Sequence, residues 1–241
     1  MPELLRLEGL KKSFGALTAV DDFTLGLDAG EALGVIGPNG AGKTTMFNLV
    51  SGDLRPDAGR IVFADADVTA LSPDRRCHAG IGRSYQIPHP FGGMTVFENV
   101  LVGATFGAGR AEREAYGECL DILQRTELAA QGNRLAGTLP LLDRKRLELA
   151  RALATRPKVL LLDEIAGGLT EHEVQRLIAT INGIRRDGVA IIWIEHVVHA
   201  LLAVVDRLAV MVFGRLLMQG NPAEVMASAA VQETYMGIAV E

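Results

Sequence analysis

An α/β fold built around a mixed sheet is predicted for this 241-residue chain from three observations. The first is Gly37-Pro38-Asn39-Gly40-Ala41-Gly42-Lys43-Thr44, followed by Thr45, lying between a short apolar run at 32–36 and a helix-forming stretch that begins Met46-Phe47-Asn48-Leu49-Val50. A strand, a glycine-rich loop ending in Gly-Lys-Thr, and a helix in that order make a phosphate-binding loop. The second is two apolar runs, at 158–162 and 189–194, too short for helices and ending in Asp163-Glu164 and Glu195-His196. Strands buried on both faces of a sheet read this way. The third is a period of two across 4–30, where Leu5, Leu7, Phe23, Leu25 and Leu27 alternate with Arg6, Glu8, Thr24 and Asp28, as half-buried antiparallel strands require.

The loop explains its own composition. Its glycines let the backbone curl until several N–H groups face one anion, and the helix N-terminus adds partial positive charge. Gly37, Pro38, Asn39, Gly40, Ala41, Gly42, Lys43, Thr44 and Thr45 are therefore the candidate binding residues for a nucleoside triphosphate. Lys43 is placed to reach the outer phosphates and the Thr44 hydroxyl to ligate magnesium.

Composition sets limits. At 49% hydrophobic and 22% charged the chain is ordinary for a globular protein. A net charge of −5 provides no basic field for nucleic acid, which is not expected as a partner. Cys77 and Cys119 stand far apart without paired Cys/His spacing, so neither a disulfide framework nor a zinc site is expected, and a reducing compartment fits. Met1-Pro2-Glu3-Leu4-Leu5-Arg6 lacks signal-peptide regions, so the chain is expected to stay inside the cell. The most apolar long tract, 200–213, is broken by Asp206-Arg207 and falls short of the roughly 18 apolar residues of a spanning helix, so any membrane association is expected to be peripheral. A mean hydropathy of +0.22 hints at a surface covered by a partner.

Along the chain, Lys12-Ser13-Phe14-Gly15 reads as a turn with an aromatic ring, either free to stack on a base or folded back on the sheet. Arg55-Pro56-Asp57-Ala58-Gly59 reads as a turn, with a short strand at 60–64. The Pro- and Gly-rich stretch 71–93 allows no continuous element around Pro88 and Pro90, so Gln86 falls at a strand end and the start of a loop. A glutamine there could reach a bound ion, but from its residue type alone the plainer reading of Gln86 is a solvated loop side chain. Residues 95–155 read as mostly helical, with Tyr116, Cys119, Leu120 and Leu123 on one buried face and Cys119 a core residue rather than a nucleophile. A second helix is expected to begin near Asp143, with Leu147, Ala150 and Leu153 on one face, Arg144, Lys145, Glu148 and Arg151 on the other, and the run Arg144-Lys145-Arg146 most simply that solvated face. Asp163 is placed to hold magnesium and Glu164 to polarise an attacking water. Thr170 with Glu173 forms a capping box opening the next helix, on which His172 is exposed. His196, at a strand end, falls among the phosphates, whereas His199 does not. A hairpin at 208–219 and a last helix capped at Asn221-Pro222 complete the chain.

The phosphate loop, Gln86, Asp163-Glu164 and His196, in this order, resemble the ATP-binding subunits of ABC transporters over essentially the whole length. Gln86-Ile87-Pro88-His89-Pro90-Phe91, Met94-Thr95-Val96-Phe97-Glu98-Asn99-Val100 and Ile194-Glu195-His196 are similar to the branched-chain amino acid uptake branch. The resemblance implies a P-loop NTPase of ABC ATPase type, one domain over 1–241, with an α/β core at 1–93 and 157–241, an antiparallel β subdomain, and an inserted helical lobe at 94–156. It implies two such subunits meeting head to tail around ATP and Mg2+, at the cytoplasmic face of the membrane, beneath two membrane-spanning permease subunits fed by a periplasmic binding protein. It also implies roles: Phe14 stacking adenine, Gln86 linking magnesium to the membrane subunits, Glu164 as catalytic base, His196 sensing the terminal phosphate.

One departure stands out. Where the family has Leu-Ser-Gly-Gly-Gln, whose serine and glycine amides bind the other subunit's ATP, this chain has Leu139-Pro140-Leu141-Leu142-Asp143 before Arg144. Proline removes a hydroxyl and an N–H, and Leu142 replaces a glycine that approaches the phosphate closely. The stretch Ile165-Ala166-Gly167-Gly168-Leu169-Thr170 also lacks an acid that many relatives have. The chain is thus expected to hydrolyse ATP at its own loop and acids but to complete its partner's site poorly. A weakly active regulatory subunit paired with an active sister, or a soluble ATPase unconnected to transport, are the alternatives.

Overall fold

Alternation along the apolar runs decides the layering. The computed structural model of the protein describes residues 2–236; residue 1 and residues 237–241 of the predicted domain lie outside the described residues. Strands β1 (Glu3–Phe14) and β2 (Leu17–Asp28) pair antiparallel, and β4 (Ala58–Phe63) and β5 (Ala66–Asp67) extend them into a four-stranded sheet ordered β2-β1-β4-β5. A second sheet contains β3 (Ala32–Ile36), β6 (Ile81–Arg83), β7 (Val159–Asp163), β8 (Ala190–Ile194), β9 (Arg207–Val212) and β10 (Arg215–Gly220), ordered β10-β9-β3-β8-β7-β6. Its neighbours run parallel except for the β9–β10 hairpin, so the sheet is mixed as expected.

Residues of one parity on the central strands face helices, and residues of the other parity face the antiparallel sheet. Leu160, Leu162, Ile191, Trp193, Leu208 and Val210 pack in one apolar cluster, while Val159, Leu161, Ile192, Ile194, Ala209 and Met211 pack in another with Leu5, Leu7, Phe23 and Phe47. Both faces being covered is why these strands lack polar alternation, and each fully buried Leu or Ile adds roughly 1.5–3 kcal/mol to the burial term.

Helix α1 (Lys43–Ser51) follows the phosphate loop and packs in the cluster shared with the antiparallel sheet. Helix α2 (Pro73–Ala79), which the sequence reading missed, opens with Pro73 just inside its start and ends at Gly80 with φ 113°. Helices α3 (Val96–Val102), α4 (Glu112–Arg125) and α5 (Leu141–Ala154) fill the region predicted to be helical. Thr95 and Glu98 cap α3 reciprocally, as Thr170 and Glu173 do for α6 (Glu171–Arg186). The short α7 (Val198–Leu202) precedes β9, and Asn221 caps α8 (Pro222–Ala227); two further helical turns, Ala229–Val231 and Gln232–Met236, come after it. Among the described residues no helix is long and apolar enough to cross a membrane.

Two expectations about the helical region are corrected. On α4 the buried residues are Ala115, Cys119, Ile122 and Leu123, while Tyr116 and Leu120 are exposed. The face is turned by one position, because Tyr116 stacks edge-on against Phe97, 5.5 Å between centroids, instead of entering the core. Cys119 is buried, as expected of a core residue, and burial pushes its thiol up to about 11. On α5 the face of Arg144, Lys145, Arg146 and Glu148 is not solvated throughout: Lys145, Arg146 and Glu148 are buried. Arg146 pairs with Glu127 and stands 3.6 Å from Asp143, so a buried ionic network replaces the solvation that the charges lose.

Arg76 on α2 is fully buried and has no sequence signature. Its Nη1 donates to Leu49 O at 2.5 Å and Val50 O at 2.9 Å, its Nη2 to Thr69 O at 2.8 Å and its Nε to Leu71 O at 3.1 Å. It thus satisfies late carbonyls of α1, the helix that starts at the phosphate loop. Arg76→Met is expected to leave these carbonyls unpaired and to lower the unfolding free energy by roughly 2–4 kcal/mol, read from urea denaturation.

Candidate nucleotide site

Two glycines of the loop stand where no side chain fits. A Cβ on Gly37 would lie 2.0 Å from the Met211 carbonyl oxygen on β9, and one on Gly42 would lie 2.1 Å from that of Ala19 on β2. The loop is therefore wedged between the two sheets. Gly40 and Gly42 have φ of 79° and 101°, which orient successive N–H groups toward one side at the start of α1. Lys43 is buried, and its Nζ donates to Gly37 O at 2.7 Å and Pro38 O at 3.1 Å. Burial lowers its pKa, against the pull of Glu164 and Asp163. Thr44 is exposed and Thr45 half-buried beside it. Phe14, Leu17, Ala19, Asn39, Thr44 and Glu164 edge a cleft of about 290 Å3 over the loop. Phe14 is 48% exposed, so its ring is open to this cleft rather than folded back on the sheet.

The acids sit opposite. Asp163 ends β7 with its side chain buried, and burial raises its pKa while Arg83, 3.3 Å away, opposes that rise. Its Oδ1 has no hydrogen-bond partner although it is buried. Glu164, the next residue, has φ 47° in the left-handed region, and its N–H donates to Ile194 O at 2.8 Å. Its carboxylate lies between two side chains, accepting from Gln86 Nε2 and standing 2.7 Å from His196 Nε2. Gln86, read from residue type as solvated, is thus brought to the acids. His199 instead lies 3.2 Å from Glu171, away from the loop. The structure therefore groups Phe14, residues 37–45, Gln86, Asp163, Glu164 and His196 at one sheet edge.

A divalent ion is tested by its donors. Among the described residues no group of three or more His, Cys, Asp or Glu side chains could hold a metal ion by itself. Magnesium, which binds one or two carboxylates together with substrate phosphates, needs no such group. The orphaned Asp163 Oδ1 and the exposed Thr44 hydroxyl are hard oxygen donors of the kind it takes, so these residues fit the ion.

The comparisons agree with the geometry. The model of the ABC transporter family matches residues 20–167. This chain belongs to that family. It is an ABC-type ATPase. It is 32% identical to the probable branched-chain amino acid transport ATP-binding protein LivG of Methanocaldococcus jannaschii, with 98% of each chain covered. It is 34% identical to the high-affinity branched-chain amino acid transport ATP-binding protein BraF of Pseudomonas aeruginosa, with 97% of this chain and 98% of that one covered. The solved ADP conformation of an ATP-binding cassette of an ABC transporter superposes with a TM-score of 0.90 at 31% identity, over 99% of this chain and 100% of that one.

In this ABC ATPase the stretch at the signature position opens α5. Pro140 takes the helix N-cap position with no side-chain cap, Leu141 is 46% exposed, and Leu142 and Asp143 are buried. Gln131 Nε2 donates to Asp143 Oδ2 at 3.1 Å, and Arg144 folds back with its Nε on Leu139 O at 2.7 Å. Sequence reasoning also missed Arg83, Lys145 and Glu195. Arg83 donates to Asn48 Oδ1 at 2.6 Å, Ser51 Oγ at 3.0 Å and Asp53 Oδ2 at 3.0 Å as well as to Asp163, joining α1 to β7. Nothing in the sequence distinguishes it from a surface arginine. Glu195 had a signal, since it ends an apolar strand beside the one that Asp163 ends.

The glycine contacts separate two kinds of substitution. Gly37→Ala is expected to abolish ATP binding in isothermal titration, because the displaced atom is main chain. Gly40→Ala, with open space around it and only a left-handed φ to strain, is expected to weaken binding by about tenfold or less.

Proposed function

We propose that this chain is the ATP-binding and ATP-hydrolysing subunit that energises an ABC importer for branched-chain or other hydrophobic amino acids. The observation that supports it most is the match over nearly the whole length to relatives named for branched-chain amino acid transport. The chain acts as a single domain over 1–241, an α/β core at 1–93 and 157–241 with a helical lobe at 94–156. It sits at the cytoplasmic face of the membrane, peripheral to two permease subunits that a periplasmic binding protein feeds. A groove of about 380 Å3 lined by Arg83, Tyr85, Phe106 and Arg151 supports the permease contact, since Phe106 is 77% exposed there and Gln86 follows Tyr85 directly.

Each residue then has a task. Phe14 offers its exposed ring to the base, the N–H groups of 37–45 cradle the phosphates, and the Lys43 ammonium exchanges its carbonyl partners for phosphate oxygens. Thr44, Asp163 and Gln86 would hold Mg2+, which supplies charge neutralisation at the outer phosphates. Glu164 aligns the attacking water and accepts its proton; both carboxylate oxygens are engaged in this structure, by Gln86 and His196, so the water takes the place of one of them. His196 is left facing the terminal phosphate, and the electrostatic stabilisation is supplied by Lys43 and the loop N–H groups.

Two such subunits meet head to tail, each supplying the start of its α5 to the other's ATP. With Pro140 and Leu142 in that segment, this chain completes a partner's site poorly, so a homodimer turns over slowly and a sister subunit with Leu-Ser-Gly-Gly-Gln leaves one efficient site. Turnover of the purified chain, alone and mixed with such a sister, tests this: equal rates for the two preparations contradict it. For the site, Lys43→Ala is expected to lose both nucleotide affinity and turnover, whereas Glu164→Gln keeps ATP affinity and loses roughly 10²–10⁴-fold in turnover in a phosphate-release assay. Full turnover in Glu164→Gln would remove the base from the scheme.

A further inference from the structure

We propose that Lys145 is a positioning residue for hydrolysis, holding the backbone from which the Glu164 carboxylate projects and tying that carboxylate to the helical lobe. The inference rests on the role proposed above for Glu164. Lys145 lies near the start of α5 and is only 6% exposed. Its Nζ donates to Gly167 O at 2.5 Å and to Glu164 O at 3.4 Å, so its partners are main-chain carbonyls of the segment between β7 and α6. A buried ammonium is a costly way to fill space that an apolar side chain would fill as well.

The same segment is gripped from the other side by the core. Glu164 N–H donates to Ile194 O, and Ala166 N–H donates to Glu195 Oε2 at 2.9 Å. The other oxygen of Glu195 accepts from the N–H groups of His196 at 3.0 Å and Val197 at 3.3 Å. One buried carboxylate thus fixes the backbone on either side of the Glu164–His196 pair. Between these grips Glu164 sits at a φ of 47°, which a non-glycine residue holds only when its surroundings impose it. Lys145 is the grip that comes from the lobe. A shift of α5 relative to the core moves the Glu164 carbonyl, and with it the carboxylate, without touching the phosphate loop.

The test uses the full chain in the complex in which it turns over ATP, with Lys145→Met, Lys145→Arg and Glu164→Gln compared for kcat, KM and ATP affinity. Lys145→Met is expected to lower kcat by about tenfold or more with affinity within about twofold of the parent, because Lys43 and the loop N–H groups are untouched. Lys145→Arg, which keeps donors for both carbonyls, is expected to recover about half of the parental kcat. Unchanged kcat in Lys145→Met, a parallel loss of affinity, or an arginine variant as slow as the methionine one overturns the inference. If Lys145→Met does not fold, Lys145→Ala, which likewise has no donor for the two carbonyls, replaces it with the same thresholds. A Glu164→Gln variant that still turns over removes the role of Glu164 and the inference together, whereas an inactive Glu164→Gln beside a fully active Lys145→Met removes the inference alone.

Discussion

Close approach of main chain to main chain is the constraint on which the structure turns. A loop can point successive N–H groups at one anion only if its backbone is held from behind, and here the holding surfaces are the carbonyls of Met211 and Ala19, on opposite sheets. Only glycine can occupy 37 and 42 under that condition. The two sheets in turn keep their separation because Phe47 and Met46 of α1 fill the space between them with Leu33, Val35 and Met211. The loop geometry, the position of α1 and the packing of the antiparallel sheet are therefore one arrangement, and α1 is secured at its far end by Arg76.

Around that loop, buried charges are balanced by partners of different kinds. Lys43 rests on carbonyls of its own loop, so a phosphate can replace those partners without leaving a carboxylate unpaired. Asp163 keeps one oxygen toward Arg83 and leaves the other bare, an unfavourable state for a buried acceptor unless a cation completes it. Arg83 itself is divided among Asn48, Ser51, Asp53 and Asp163, and its Cζ lies 4.8 Å from the Tyr85 ring centroid and 5.8 Å from that of Phe47. It therefore fixes the angle between α1 and β7 on which the spacing of Lys43 and Asp163 depends. Glu164 in its left-handed conformation stores strain of order 1–3 kcal/mol, directly after the buried Asp163 and between Gln86 and His196.

How much of this was legible follows from where the determining interactions lie. The phosphate loop, the four apolar strands at its side and the caps at Thr95 and Thr170 are local, set by spacing and residue type within a few positions, and they were read in place. So was the convergence of Asp163, Glu164 and His196, because parallel strands buried on both faces must end at a common edge. What was misread depends on partners distant in sequence. Lys145 and Arg146 look like a solvated run until the carbonyl of Gly167 and the carboxylate of Glu127 are brought against them. Tyr116 and Leu120 match the buried period of α4, but the turn of that helix is set by Phe97 on α3. Arg76 lies in a stretch dismissed for its prolines and glycines, though Pro73 and Gly80 there mark a helix start and stop rather than a loop.

The start of α5 shows why its odd sequence is stable where it stands. A helix N-terminus has partial positive charge and free N–H groups, which can be met by an external anion or by the protein itself. In this chain Asp143 brings a carboxylate into the first turn, Gln131 and Arg146 hold it there, and Arg144 closes over the carbonyls of Leu139 and Gly137. Asp143 thus places a negative charge at the helix end that a phosphate would approach in the proposed dimer, although no side chain caps that end, and Leu142 buries apolar surface beside it. A helix end that already has a carboxylate in its first turn has correspondingly less electrostatic gain from a phosphate. Lys145, one turn later, joins the same helix to the segment between β7 and α6, so the features that would weaken it as a surface for another subunit's nucleotide in the proposed dimer go together with the proposed brace for this subunit's own Glu164.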